Sequence, residues 1–294
     1  MANLTIKQLR YFDALAQHGH FGRAADACAI SQPALSMRIK ELEEELGTPL
    51  VERGPRQLRL TPFGEDFVAK AREVLRGVDE LGDLARAAKD AGVSRFVQVS
   101  AIGADRNGPS TYAQAKALGE ELVRDAFPKA TILRPSIIFG PDGGILNLFA
   151  DLIASLPVLP VFAPDSPLQV VHVDDVAAAI TKALLNPSEF GGKIYELAGP
   201  DRWTMMELNQ RIATAQRRKR TFLPMPDGLS ATFAALPGTP MGSDQWKLLK
   251  QGNVVSGEYP GFDKLGIEPR PLELFLDRWM VRYRKHGRFH AEAA

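Results

Sequence analysis

Three side chains in the middle of the sequence have the types and spacing to move a proton: Ser100, Tyr112 and Lys116. Tyr112-Ala113-Gln114-Ala115-Lys116 places the phenol and the amine on one face of a helix, at i and i+4. A lysine beside a tyrosine favours phenolate, so this spacing predicts a lowered phenol pKa. Ser100 ends the apolar run that starts at Arg95, and a serine at a strand's end can hydrogen-bond a substrate oxygen. Together the three could exchange a proton with an alcohol while a nicotinamide moves hydride. Taken alone, Tyr-x-x-x-Lys is also the ordinary pattern of a solvated helix face.

A second set, near the N-terminus, has the types for reading nucleic acid. Gln32 can pair with adenine edges, and Ser31 and Ser36 can reach bases or phosphate. Arg53, Arg56 and Arg59 form a compact cation cluster suited to phosphates.

The elements that must position these groups can be read from periodicity. Leu4 to Gln17 carries apolar residues at helical spacing, and His18-Gly19-His20 breaks it. Phe21 to Ala29 is a second short helix whose Ala24, Ala25 and Cys28 allow close packing. Ser31 is a good N-cap for a third, with Pro33 in the first turn, where its missing N–H costs nothing. Leu35, Ile39, Leu42 and Leu46 bury one face and leave Gln32, Pro33, Ser36 and Lys40 outward. Two helices joined by a tight turn fit a helix-turn-helix. Pro49 to Thr61, turn residues between two short apolar runs, predicts a β-hairpin wing. The blander reading of the same stretch is a small helical domain with a solvated arginine face. Thr61 and Pro62 then open a long helix. Its Phe67, Ala71, Val74, Val78, Leu81, Ala85 and Ala88 predict a coiled-coil-like stripe. Gly77 and Gly82 are expected to weaken that helix by about 1 kcal/mol each.

Beyond it, strands are expected at Arg95–Ser100, Ala130–Arg134, Leu168–Val173 and Lys193–Ala198. Helices are expected at Tyr112–Val123, Ile145–Ala154, Asp174–Leu185, Met205–Ala215 and Leu272–Tyr283. Such alternation predicts α/β architecture with mainly parallel pairing. The chain has 294 residues, enough for one large domain or two ordinary ones. Its 45% hydrophobic and 24% charged content is that of a globular protein in water. No apolar run reaches the ~20 residues needed to span a bilayer. The N-terminus has no signal-peptide core, and Cys28 is the single cysteine, so the cytoplasm is the expected compartment. A net charge of +1 gives no global sign of a nucleic-acid partner, so any such sign is local. His18, His20, His172, His286 and His290 show no metal spacing, and no metal is expected.

Five segments carry a resemblance to the LysR-type regulators, nearest to their hydrogen-peroxide-responsive branch. They are Leu9-Arg10-Tyr11-Phe12, Phe21-Gly22-Arg23-Ala24-Ala25, Ser31 to Ser36, Leu46 to Arg53 and Leu60-Thr61-Pro62-Phe63-Gly64. The resemblance implies a dimeric protein that binds double-stranded DNA and regulates transcription. It implies Ser31, Gln32, Pro33, Ala34, Ser36 and Arg38 at the major groove, flanked by Arg23 and Lys40, with the wing arginines beside the minor groove. It also implies that the long helix pairs two chains. Nothing after Ala88 resembles that family's effector domain, so no peroxide-sensing role follows for Cys28, which reads as a small core residue.

From about Ala85 to His290 the chain resembles a different family, the extended and atypical short-chain dehydrogenases. Val97 to Ala104, Ser110 to Lys116, Ile132 to Pro141 and Val171 to Ala177 carry the likeness. Lys247 to Val255 and Trp279 to Phe289 point to the NAD(P)H-binding accessory subunit of respiratory complex I. The resemblance implies cofactor-side roles for Tyr112, Lys116, Pro135, Ser136 and Ile137. Yet the family's opening strand, glycine-rich turn and pyrophosphate-binding helix have no counterpart here. No cofactor is therefore expected, NAD(P)H being doubtful, and no dehydrogenase turnover.

The expected fold class is a two-part α+β and α/β chain. A winged helix-turn-helix (1–61) and linker helix (62–89) precede a truncated Rossmann-like domain (90–294). Three functions stay open. One is a LysR-type regulator with a non-catalytic second half. Another is a complex-I-associated or oxidoreductase-like protein. The last is a non-native join of two genes at Leu84-Ala85-Arg86-Ala87-Ala88.

Overall fold

The computed structural model describes residues 4–53, 58–141, 144–235 and 241–285. The chain forms two compact units, one of residues 1–92 with 104–127, the other of 93–103 with 128–294.

The first unit opens with α1 (Ile6–His18), α2 (Phe21–Ala27) and α3 (Gln32–Leu46). Each start has a chemical cause. At α1, Thr5 and Gln8 form a reciprocal capping box, the Gln8 N–H reaching Thr5 Oγ1 at 3.1 Å. At α2 the cap is His20, whose Nδ1 accepts from the Gly22 N–H at 3.0 Å. At α3, Ser31 Oγ accepts from the Ala34 N–H at 3.3 Å. Phe12, Leu15, Leu35, Ile39, Leu42 and Leu50 are wholly buried between these helices and the wing. The wing pairs β1 (Val51–Arg53) with β2 (Leu58–Leu60), antiparallel. Glu43 anchors it to α3 by accepting the Leu50 and Val51 N–H groups at 2.8 and 3.1 Å. The long helix α4 (Pro62–Asp90) then starts so close to the wing that a Cβ on Gly64 would lie 2.1 Å from the Leu50 carbonyl oxygen.

Helix α4 runs 29 residues without a break through Leu84–Ala88. Its buried row is Val68, Ala71, Leu75, Val78, Gly82 and Ala85. That differs from the expected stripe: Val74 is 40% exposed, and Leu81 and Ala88 are only half-buried. The helix carries two adjacent apolar rows, and packing chose between them. Helix α5 (Thr111–Ala126) belongs to this same unit and covers the buried row with Leu118, Ala115 and Leu122. Ile6 and Leu9 of α1 complete the cluster. The Ile6 N–H also donates to Gln114 Oε1 on α5 at 3.0 Å.

The second unit is built on a three-stranded parallel sheet, β3 (Val97–Val99), β4 (Thr131–Pro135) and β9 (Ile194–Leu197), in the order β3-β4-β9. Three separate two-stranded pairs accompany it: β5 (Ile138–Phe139) with β8 (Val171–His172), β6 (Val158–Val161) with β11 (Thr221–Pro224), and β7 (Pro167–Leu168) with β10 (Trp203–Thr204). The strand expected over Leu168–Val173 is therefore two. Buried Gln169 ends β7, turning its amide to the Gly199 carbonyl at 2.8 Å, before β8 joins a different partner. Around these lie α6 (Ile145–Ser155), α7 (Val173–Leu185), α8 (Pro187–Phe190) and α9 (Met205–Ala215). Toward the C-terminus come α10 (Asp227–Ala235), α11 (Ser243–Gln251) and α12 (Glu273–Met280). The helix expected to reach Tyr283 tightens to a 3-10 turn over Val281–Tyr283. Leu133, Val171, Ala179, Leu197 and Leu265 form one core of this unit. Phe139, Leu146, Ile153, Leu208 and Met280 form another.

Candidate functional site

The N-terminal end of α3 presents its polar side chains to solvent because the same helix buries Leu35, Ile39 and Leu42 on its opposite face. Ser31, Gln32 and Pro33 are exposed, and Ala34 and Ser36 are half-buried beside them. Arg38 and Lys40, also exposed, sit in intrahelical ion pairs, Arg38 with Glu41 at 2.8 Å and Lys40 with Glu44 at 3.5 Å. Exposed pairs of this kind are worth at most about 1 kcal/mol and yield readily to a stronger anion. Arg23 on α2 and Arg59 on β2 are exposed and make no ion pair among the described residues. The side chain of Arg53, and Arg56 altogether, lie outside the described residues. Cys28 closes α2 as a half-buried residue against the helical core, and burial pushes its thiol above the ordinary range. A thiol held protonated is a poor redox sensor.

Tyr112 and Lys116 lie on α5, in the first unit, with the Lys116 ammonium 5.5 Å from the Tyr112 ring centroid. The expected lowering of the phenol pKa is not what the surroundings produce. Partial burial of the ring holds the phenol above its ordinary value. The amine faces the ring's π-cloud, which attracts the cation without stabilising phenolate oxygen. Ser100 belongs to the second unit, where its hydroxyl is buried without a hydrogen-bond partner among the described residues. Pro135 ends β4 in that same unit, and Ser136 and Ile137 follow it, each tied into the fold. The Pro135 carbonyl accepts from the Ile102 N–H at 3.0 Å, and the Ser136 hydroxyl donates to the Gln169 carbonyl. The Ile137 N–H donates to Asn253 Oδ1 at 2.7 Å. Asn253, placed by sequence only within the Lys247 to Val255 likeness, is thus a brace for this loop. His172 ends a strand, as the expected strand over Leu168–Val173 implies, and it also serves as the N-cap of α7 (Val173–Leu185).

A dinucleotide does not fit what is present. Among the described residues, strand β3 is an edge strand, paired only with β4. The element that precedes it is α4, and no strand–glycine turn–helix unit flanks it among the described residues. Among the described residues, no helix N-terminus follows β3 in the place where this fold class holds a pyrophosphate. Among the described residues no group of histidine, cysteine and carboxylate side chains could hold a metal ion. None of the helices searched is long and apolar enough to cross a membrane.

Residues 6–65 match the family of bacterial regulatory helix-turn-helix proteins of lysR type. Residues 81–198 match the NAD dependent epimerase/dehydratase family. Over 82 residues the chain is 49% identical to a hydrogen peroxide-inducible genes activator of Pectobacterium carotovorum, covering 28% of this chain and 27% of that protein. Over 219 residues it is 33% identical to the mitochondrial NADH dehydrogenase [ubiquinone] 1 alpha subcomplex subunit 9 of Arabidopsis thaliana, covering 69% of this chain and 54% of that protein. The chain thus spans about half the length of the longer of these relatives and about a quarter of the other. A nucleoside-diphosphate-sugar epimerase of Staphylococcus aureus shares the fold at a TM-score of 0.56 and 20% identity, over 69% of this chain and 72% of its own.

Proposed function

Since the chain joins a lysR-type helix-turn-helix to an epimerase-type α/β domain, we propose that it is a sequence-specific DNA-binding transcriptional regulator whose second half is not an enzyme. The observation that supports this reading is the α3 N-terminus, where Ser31, Gln32 and Pro33 stand free above a fully buried Leu35-Ile39-Leu42 face. In this reading Ser31, Gln32, Pro33, Ala34, Ser36 and Arg38 enter the major groove, and Arg23, Lys40, Arg53, Arg56 and Arg59 neutralise phosphates. Residues 1–61 are the DNA-binding domain, 62–89 the linker and 90–294 the remnant nucleotide-binding domain. The partner is a second copy, met along the exposed row Phe63, Val74 and Leu84 of α4, and the compartment is the cytoplasm. Neither NAD(P)H nor a metal is required.

The test is selection of duplexes from a random pool by the full chain, followed by anisotropy titration of the winner against salt. Arg53→Ala and Arg59→Ala are expected to weaken all duplexes alike, each flattening the log–log salt slope by about one. Gln32→Ala is expected to relax preference at one base step, worth about 1–3 kcal/mol of discrimination. A Gln32/Arg53 double variant binding like wild type would end this reading.

The long match to the NADH dehydrogenase subunit supports a second reading, a nucleotide-holding subunit of a respiratory assembly. It requires the glycine-rich segment that this chain lacks, and is the weaker for it.

A further inference from the structure

The second unit contains a cavity of about 1040 Å³, outside both candidate sites. Phe139, His172, Phe275 and Trp279 form an aromatic part of its wall, and the Asp174 carboxylate stands on it too. The His172 ring stacks on Phe275 with 4.0 Å between centroids and meets Phe139 edge-on at 5.1 Å. Trp279 lies nearly parallel to Phe139 at 6.3 Å. Arg278 and Arg282 stand on the same wall.

The charges here do not cancel. The carboxylates of Asp174, which lines the cavity, and of Asp175 share a single counter-charge, Arg270, at 3.5 and 2.8 Å. Asp277 is answered by Arg284 at 3.6 Å. Arg278 makes no ion pair among the described residues, and Arg282 gives one N–H to the Pro141 carbonyl at 2.7 Å. Asp174, Asp175 and Asp277 set against Arg270, Arg284, Arg278 and Arg282 leave one net positive charge, and the exposed guanidiniums of Arg278 and Arg282 stand beside the aromatic rings. The His172 tautomer adds a donor. Nδ1 accepts the Asp174 backbone N–H at 3.2 Å and faces the Arg270 guanidinium at 3.1 Å, so it carries the lone pair. The ring proton then sits on Nε2, which has no hydrogen-bond partner among the described residues.

We propose that this cavity binds a small aromatic carboxylate. The ligand's ring packs against Phe139, Phe275 and Trp279. Its carboxylate meets Arg278, Arg282 and the His172 Nε2–H. An aliphatic acid would forgo the ring contacts, and a neutral aromatic would leave both guanidiniums unanswered. The inference rests on the second unit alone and stands whether or not the chain binds DNA.

Isothermal titration of the full chain with benzoate, phenylacetate and 3-phenylpropionate tests it. Acetate, inorganic phosphate and 3-phenylpropanol serve as controls. At least one aromatic acid is expected to bind saturably, and every control at least about tenfold more weakly. Arg278→Gln with Arg282→Gln should weaken the acid by about tenfold or more and leave the alcohol unchanged. Both arginines are exposed, so a matching urea midpoint shows that the variant is folded, and each single variant is a fallback. No saturable binding of any aromatic acid overturns the proposal. So does phosphate binding as tightly as the best acid, or binding indifferent to both arginines.

Discussion

The His172 imidazole shows how far a few ångströms of surroundings decide a residue's chemistry. Its side chain is almost wholly buried, and burial with the facing Arg270 charge holds its pKa below the usual 6.5, against the smaller opposite pull of Asp174 and Asp175. The folded pKa is thus lower than the unfolded one. As pH falls below about 6.5, the unfolded chain takes up a proton that the folded chain refuses, and stability is lost. Above that pH both states are neutral and the effect vanishes. His172→Asn keeps an acceptor for the Asp174 N–H but cannot titrate. We expect this variant to be less stable at neutral pH, through lost stacking, yet to lose stability less steeply on acidification. Urea unfolding at closely spaced pH values measures both slopes, and identical slopes would show that another group titrates. Residue-scale legibility was uneven for a physical reason. Ser31 could be read as a cap because its acceptor and the helix it serves are adjacent in sequence. Asn253 lay in a string that carried a family likeness, but its bracing role could not be read, because the Ile137 N–H it holds lies 116 residues away.

Helix α4 carries two predictions at the scale of the element. Gly77 faces open space, whereas a Cβ on Gly82 would lie 3.2 Å from Leu122 Cβ on α5. Alanine improves helix propensity at both sites by about 1 kcal/mol, but only at Gly77 is the gain unopposed. We therefore expect Gly77→Ala to raise the urea midpoint and Gly82→Ala to raise it less or lower it. An equal rise in both would mean that α5 does not press on α4. The same contact predicts that Leu118→Ala costs about 2–4 kcal/mol, since Leu118 fills the cluster with Ile6, Leu9, Ala71, Leu75 and Val78. Hydrogen exchange should show lost protection in α1 and α4 as well as α5. Periodicity revealed that α4 exists and where it starts, since Thr61 and Pro62 are local signals. It did not reveal which of two neighbouring apolar rows is buried, because that depends on α5, 20 residues past the end of α4. The strands β5, β6, β10 and β11 escaped notice for a related reason: two to four residues are too few to show a period of two.

At the scale of the molecule, sequence halves and compact units do not coincide. Helix α5 carries the dehydrogenase-like Tyr112 and Lys116, yet packs with the lysR-type helices, while Ser100 belongs to the other unit. Family motifs made both halves legible, because each motif is a local string. The regrouping was not, because it follows from side chains that meet only after folding. The arrangement also bears on whether the trio can work. Positioning of reactants is worth about 7–11 kcal/mol of a barrier, and in this fold class the glycine-rich turn does much of it. That turn is absent, and burial holds the Tyr112 phenol protonated rather than poised near neutral pH. We expect no saturable NADPH fluorescence change and no hydride transfer across a broad panel of alcohols and ketones. Micromolar NADPH binding that disappears in Lys116→Ala would contradict this. It would mean that the second half holds a nucleotide through its nicotinamide side alone. Since α5 packs on α4, such binding would be expected to alter DNA affinity, and titrating the selected duplex with and without NADPH would measure the coupling.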